Sequence, residues 1–143
     1  MDSSKSEAAS HILRIATEKW VDHVFEMAIY YTNMKRKWKC GQAILFIHKT
    51  RTGDAFIGYD VVDRVAERNA LSGKDRLECE RGSWKWAIEF KYVKRFEKPL
   101  LVKQTFLKSS KRHGRFVHGI ETNKEQLKLI LDQAEENPLH QKS

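Results

Sequence analysis

Apolar and charged residues alternate through the stretch from Trp84 to Tyr92, with Trp84, Trp86, Ile88, Phe90 and Tyr92 on one side and Lys85, Glu89 and Lys91 on the other. A period of two is that of a strand. Each large aromatic ring buries roughly 150–250 Å², so this face must be covered, and the pattern predicts the central core strand of a sheet closed over by other strands and at least one helix. Alternation with charge is what a half-buried strand requires, so the rings are read first as core and second as a platform for stacking bases.

The remaining elements follow in order. His11 to Ala16 is a short apolar strand, after which Thr17 sits where a helix N-cap belongs. Trp20, Val21, Val24, Phe25, Ala28 and Tyr31 recur at steps of three and four, predicting a helix whose apolar face lies on the sheet. The pattern breaks into a basic loop from Asn33 to Lys39, and Ala43 to Lys49 is a second strand. Gly53 suits a turn, from which Ala55 to Val65 returns as a third strand with Ile57, Tyr59, Val61 and Val65 on one face. Residues 66–83 are polar and read as a connection with room for one helical turn. Pro99 interrupts the chain after the aromatic strand, and Leu100 to Leu107 fits either a strand end or a helical turn. His113 to His118 reads as a last short strand or loop. Thr122 and Glu125 have capping-box spacing ahead of a closing helix with Leu127, Ile130, Leu131 and Ala134 as its stripe.

At 143 residues the chain suits one domain, expected over residues 11–136, with 1–10 and 137–143 as flexible termini. Lys and Arg number 27 against 19 Asp and Glu, a formal charge of +8, which favours polyanions such as RNA or DNA. Cys40 and Cys79 stand in no CxxC or Cys/His cluster, so the sequence signals neither a zinc site nor a disulfide framework. No window approaches the ~18 apolar residues of a membrane span. A cytoplasmic monomer with no cofactor is expected.

Positive charge gathers in two acid-free windows. Met27 to Gly53 holds Lys35, Arg36, Lys37, Lys39, Lys49 and Arg51, and Lys98 to Ile120 holds Lys98, Lys103, Lys108, Lys111, Arg112 and Arg115. A basic run is usually a solvated face. Both windows also carry aromatic and small polar residues, and nucleic-acid sites need cations for phosphates beside rings for bases. No GxSxG, HExxH, P-loop or post-strand GxGxxG motif occurs. His113 and His118 form the one constellation suited to acid–base chemistry, as in RNA cleavage, though a spacing of five leaves their geometry open.

The order strand, helix, basic loop, Lys39-Cys40-Gly41-Gln42 entering a strand, hairpin with Gly58-Tyr59, aromatic strand, then Leu107 to Gly119 ahead of a final helix resembles the EVE-type domains of the PUA-like superfamily, an archaeal branch among them. Gln42 stands where an acid is usual, and Phe116-Val117-His118-Gly119 where two aromatics precede the glycine. The resemblance implies an α+β fold, a small PUA-like β-barrel of about five to six strands flanked by helices, that reads RNA or a modified base without catalysis. By position it implies a ligand pocket of Tyr31, Asn33, Trp38, Ser109, Phe116 and His118. Lys35, Arg36, Lys108, Lys111, Arg112 and Arg115 would bind phosphates. Trp38 or Phe116 would stack on a base, and Asn33 and Ser109 would address its polar edge. A base-modifying enzyme or ribonuclease using His113 and His118, and a basic protein docked on a ribosome or other ribonucleoprotein, are the alternatives. The first reading requires the two windows to meet at one rim.

Overall fold

The computed structural model describes residues 10–33, 38–91, 93–109, 118 and 121–139. Seven strands form one sheet in the order β2-β5-β4-β3-β1-β7, with β6 also paired to β4. The strands are β1 (Ser10–Ile15), β2 (Ile29–Thr32), β3 (Ala43–Thr50), β4 (Gly53–Glu67), β5 (Trp86–Phe90), β6 (Lys94–Leu101) and β7 (Glu121–Thr122). Three helices accompany them: α1 (Glu18–Met27), α2 (Gly73–Gly82) and α3 (Lys124–Leu139). The α+β class is as expected. The expected barrel of five to six strands is replaced by an open sheet of seven, because among the described residues no ladder joins β2 to β7.

The organising strand is β4, not β5, which lies next to the β2 edge. At fifteen residues β4 is long enough to serve three partners. Along one edge it pairs β3 from Gly53 to Val61, and β6 and β5 take successive lengths of the other. The division is visible at two neighbours. The Val61 carbonyl accepts from the Lys91 N–H, whereas the Val62 N–H donates to the Gln42 carbonyl and the Val62 carbonyl accepts from the Gly41 N–H. Register shifts at Phe56/Gly58 and Val62/Arg64 turn side chains from one face to the other. Ile57 and Tyr59, expected on one face, accordingly pack in different clusters.

The continuous apolar runs of β1 and β3 have a direct cause, since both faces are covered. Leu13, Ile15, Ile44 and Phe46 pack with Val21 and Val24 of α1. Ile12, Leu45 and Ile47 pack with Ile130 of α3. A third cluster joins Ile29 and Tyr31 of β2, Ala66 of β4 and Ala87 of β5 to Leu71 and Cys79. β1 runs parallel to β3, from Ser10 opposite Ala43 to Ile15 opposite His48.

Helix α1 begins where predicted, with the Thr17 hydroxyl accepting from the Trp20 N–H. It ends earlier than predicted. Ala28 takes a left-handed conformation, φ 58°, its N–H closing on the Val24 carbonyl at 2.9 Å, and the β-prone run Ile29-Tyr30-Tyr31-Thr32 leaves as a strand. The stretch read as a polar connection contains the ten-residue α2. The last helix is capped one residue later than its spacing suggested. Asn123 Oδ1 accepts from the Gln126 N–H at 2.8 Å and Gln126 Oε1 from the Asn123 N–H at 3.0 Å, a reciprocal box, while Thr122 belongs to β7 and hydrogen-bonds Ser10. Pro99 lies within β6, tolerated because among the described residues that strand pairs only with β4. Among the described residues no helix is long and apolar enough to cross a membrane.

Candidate functional site

Four residues from three separate parts of the chain meet at the end of β1 that pairs with β7. The imidazole of His11 stands edge-on to the indole of Trp38, centroids 5.8 Å apart, and on the same indole rests the His118 ring at 5.7 Å. Glu121 closes the group, its carboxylate 3.4 Å from His11 Nε2. Trp38 comes from the first basic window and His118 from the second, so the two windows touch here.

Local sequence explains why these side chains hold their places. Among the described residues β7 pairs with β1 at Ser10 and His11. Further along β1 the Arg14 N–H donates to His118 Nδ1 at 3.0 Å. An imidazole accepting through Nδ1 carries its proton on Nε2 when neutral. Burial, and secondly the charge of Arg14, lower the His118 pKa and favour that neutral form. The Arg14 guanidinium is engaged elsewhere, with two 3.0 Å hydrogen bonds to the Asp54 carboxylate.

On the other side the turn Lys39-Cys40-Gly41-Gln42 leads Trp38 into β3. Gly41 supplies a φ of 85°, and the Gln42 N–H bonds the Lys39 carbonyl. The turn is pinned to β4 by the two hydrogen bonds at Val62 and by Cys40 Sγ, 3.1 Å from the Asp63 carbonyl. Trp38 itself is 3% exposed and joins the cluster of Leu13, Ile44, Phe46 and Val62. Among the described residues its Nε1–H has no hydrogen-bond partner, and neither does the buried Oε1 of Gln42 four residues on. Each such orphan costs about 1–3 kcal/mol.

The other expected pocket residues fall into two groups. Tyr31 and Asn33 belong to the β2–β5 end of the sheet. The Tyr31 hydroxyl donates to Asp75 Oδ1 of α2 at 2.9 Å, and its ring stacks on Trp84 at 5.7 Å. Burial, then Asp75, push its pKa far above the ordinary phenol range. Asn33 Oδ1 accepts from the Lys85 N–H at 2.9 Å, so its carbonyl already has a partner. Lys108 is exposed on a 3₁₀ turn, Phe106–Ser109, that also carries the Ser109 backbone. Phe116, Lys35, Arg36, Lys111, Arg112, Arg115 and His113 lie outside the described residues. His11 was missed as a candidate because a histidine inside a strand run carries no local signal of its neighbours. Among the described residues no group of three His, Cys, Asp or Glu side chains could hold a metal.

No protein-family model matches the chain, nor does any curated protein sequence. Solved structures do match in fold. A crystal structure of ASCH from Zymomonas mobilis superposes with a TM-score of 0.63 at 10% identity, covering 88% of this chain and 96% of that one. A tyrosine-to-phenylalanine mutant of the same protein gives 0.62 at 12% identity over 87% and 97%. A hypothetical protein from Leishmania major gives 0.61 at 15% identity over 92% and 97%. At these identities the likeness is one of fold: the chain folds like the ASCH structure from Zymomonas mobilis.

Proposed function

We propose that this chain is an RNA-binding module that takes a nucleotide, modified or not, where its two basic windows meet, and that it performs no catalysis. The observation that carries this reading is the Trp38–His118 contact, 5.7 Å between ring centroids, which brings two acid-free segments together. Phosphates are then held by Lys35, Arg36, Lys108, Lys111, Arg112 and Arg115, and Phe116 and the His118 ring address the base, Trp38 being buried in the core. The ASCH-like fold and the net charge of +8 support a nucleic-acid partner. EVE-type recognition of a modified base is the finer form of the same reading.

Affinity for single-stranded RNA should fall steadily as salt rises from about 50 to about 200 mM, as counterion release requires. Lys111→Ala should lower the slope of log K against log salt by about one. Absence of binding, or affinity indifferent to salt, would overturn the proposal. Single-stranded DNA of matching sequence separates the two nucleic acids.

The non-catalytic form is favoured by the state of His118. With Nδ1 occupied by the Arg14 N–H, the neutral ring has a donor to offer at Nε2 but no free lone pair with which to take a proton. Labelled RNA incubated with the protein should stay intact. Cleavage lost in His118→Ala would establish the ribonuclease reading instead.

A further inference from the structure

Arg14, Lys49 and Asp54 share one face of the sheet at the corner where β1 and β3 end and β4 begins. Arg14 stands opposite Ile47 in the parallel pairing and Lys49 follows Ile47 by two residues, so both lie on the side of Ile12, Leu45 and Ile47. Lys49 is directly opposite Asp54 in the β3–β4 ladder, and both oxygens of Asp54 are held by Arg14, through Nε and Nη2 at 3.0 Å each. Two cations thus share one carboxylate. We infer that this corner is a phosphate subsite for the RNA strand: Lys49 and the outer edge of the Arg14 guanidinium hold a backbone phosphate, and Asp54 positions the guanidinium. The inference rests on the proposed RNA-binding function and adds residues to it from the strand ends.

The supply of donors supports this assignment. A guanidinium carries five N–H groups in one rigid plane. Asp54 takes two of them along one edge, and the Nη1 side is left for the paired N–H···O contacts with which arginine binds phosphate. Because the carboxylate fixes the plane beforehand, little side-chain freedom remains to be lost on binding. Charge argues the same way. Asp54 offsets one cation, and among the described residues no carboxylate pairs with Lys49 or with Arg51 in the adjoining turn. The surplus is positive.

The corner is open as it stands. Lys49 and Arg51 are exposed, and the side chains of Arg14 and Asp54 keep 16% and 15% of their surface. Partial burial strengthens the attraction of a fixed cation for an anion over that of a fully solvated one. The main-chain N–H of Arg14 also holds His118, so the subsite adjoins the ring proposed to address the base. A second side-on pair, Arg64 with Glu89 at 3.3 and 2.7 Å, has the Asp63 charge alongside and no such surplus. It serves as the control.

The test measures binding of a short oligouridylate, and of the abasic ribose-phosphate oligomer of equal length, to the full chain across a salt series. Lys49→Gln should weaken both about tenfold at low salt and lower the slope of log K against log salt by about one. Arg64→Gln removes the same charge toward the other end of β4 and should weaken either by no more than about twofold, since salt screens charges that far apart. Asp54→Asn raises the net charge by one, so attraction alone predicts tighter binding. With the guanidinium released, binding should instead weaken severalfold. Lys49→Gln, on an exposed side chain, decides the matter should Asp54→Asn fail to fold. If oligouridylate binds the wild-type chain with salt-dependent affinity but Lys49→Gln behaves like Arg64→Gln, or Asp54→Asn binds more tightly, the subsite is wrong and RNA binding stands. A loss confined to oligouridylate points to a base contact and overturns the phosphate assignment as well. If neither oligomer binds, both readings fall.

Discussion

The main-chain N–H of Arg14 and Nδ1 of His118 form a 3.0 Å hydrogen bond between residues 104 positions apart. The bond exists only while Nδ1 is unprotonated, and burial followed by the Arg14 charge hold the His118 pKa below its ordinary 6.5. The unfolded chain takes up this proton near 6.5 and the folded chain only at lower pH. The associated stability is therefore complete above 6.5 and is lost as pH falls below it. Between about pH 7.5 and about pH 5.5 the melting temperature should drop further in the wild-type protein than in His118→Gln. Equal drops would remove His118 from the account.

Trp38→Ala should destabilise the fold by about 3–5 kcal/mol, the range for truncating a large buried aromatic. Trp38→Phe, which keeps a ring among Leu13, Phe46 and Val62, should cost far less. Urea unfolding of the two variants separates core packing from the indole N–H, and an Ala variant as stable as wild type would contradict the burial.

Gly58 has no room for a side chain. A Cβ there would lie 2.5 Å from the Lys94 carbonyl oxygen and 2.9 Å from the Phe25 ring, a ring that also lies under the Arg95 guanidinium at 4.6 Å. Gly58→Ala should cost about 1–3 kcal/mol through overpacking. Gly41→Ala meets open space but must hold a φ of 85°, and should cost about 1 kcal/mol or somewhat more through backbone strain. Thermal melts of both variants check the order.

The Tyr31–Asp75 hydrogen bond ties β2 to α2. Tyr31→Phe should lose about 1 kcal/mol of stability. In an ultraviolet titration burial and Asp75 hold the Tyr31 proton far above the ordinary phenol range, and burial raises Tyr30 as well, so Tyr31→Phe should remove part of the late-ionising absorbance.

Where local chemistry and tertiary packing agree, the sequence was readable. The Thr17 cap, the β3–β4 turn at Gly53 and the stripe through Ile130 and Ala134 each declare themselves within a few residues. Tyr31 was misplaced because it keeps the helical spacing after Val24, and the stop at Ala28 uses a left-handed alanine in place of the usual glycine. Helix α2 was missed because its run Gly-Lys-Asp-Arg-Leu-Glu-Cys-Glu-Arg-Gly buries little besides Cys79. Trp38, flanked by Lys37 and Lys39, reads as a surface ring in a basic loop. Its burial depends on His11 and His118, and on the closure of the strands behind it, none of which is encoded nearby.

The pairing of β7 with β1 joins Ser10 to Thr122, across 112 positions. During vectorial synthesis the wall of the Trp38 cluster that carries His118 and Glu121 is therefore the last to arrive. A nascent chain emerged only as far as β6 can form the β3–β4 hairpin and lay α1 upon it. The edge of β1 then remains open and the indole lacks one of its flanking rings. On the proposed reading, binding at this site is deferred until the segment carrying His118 and Glu121 has left the ribosome, which separates the time at which the core folds from the time at which a ligand could be engaged.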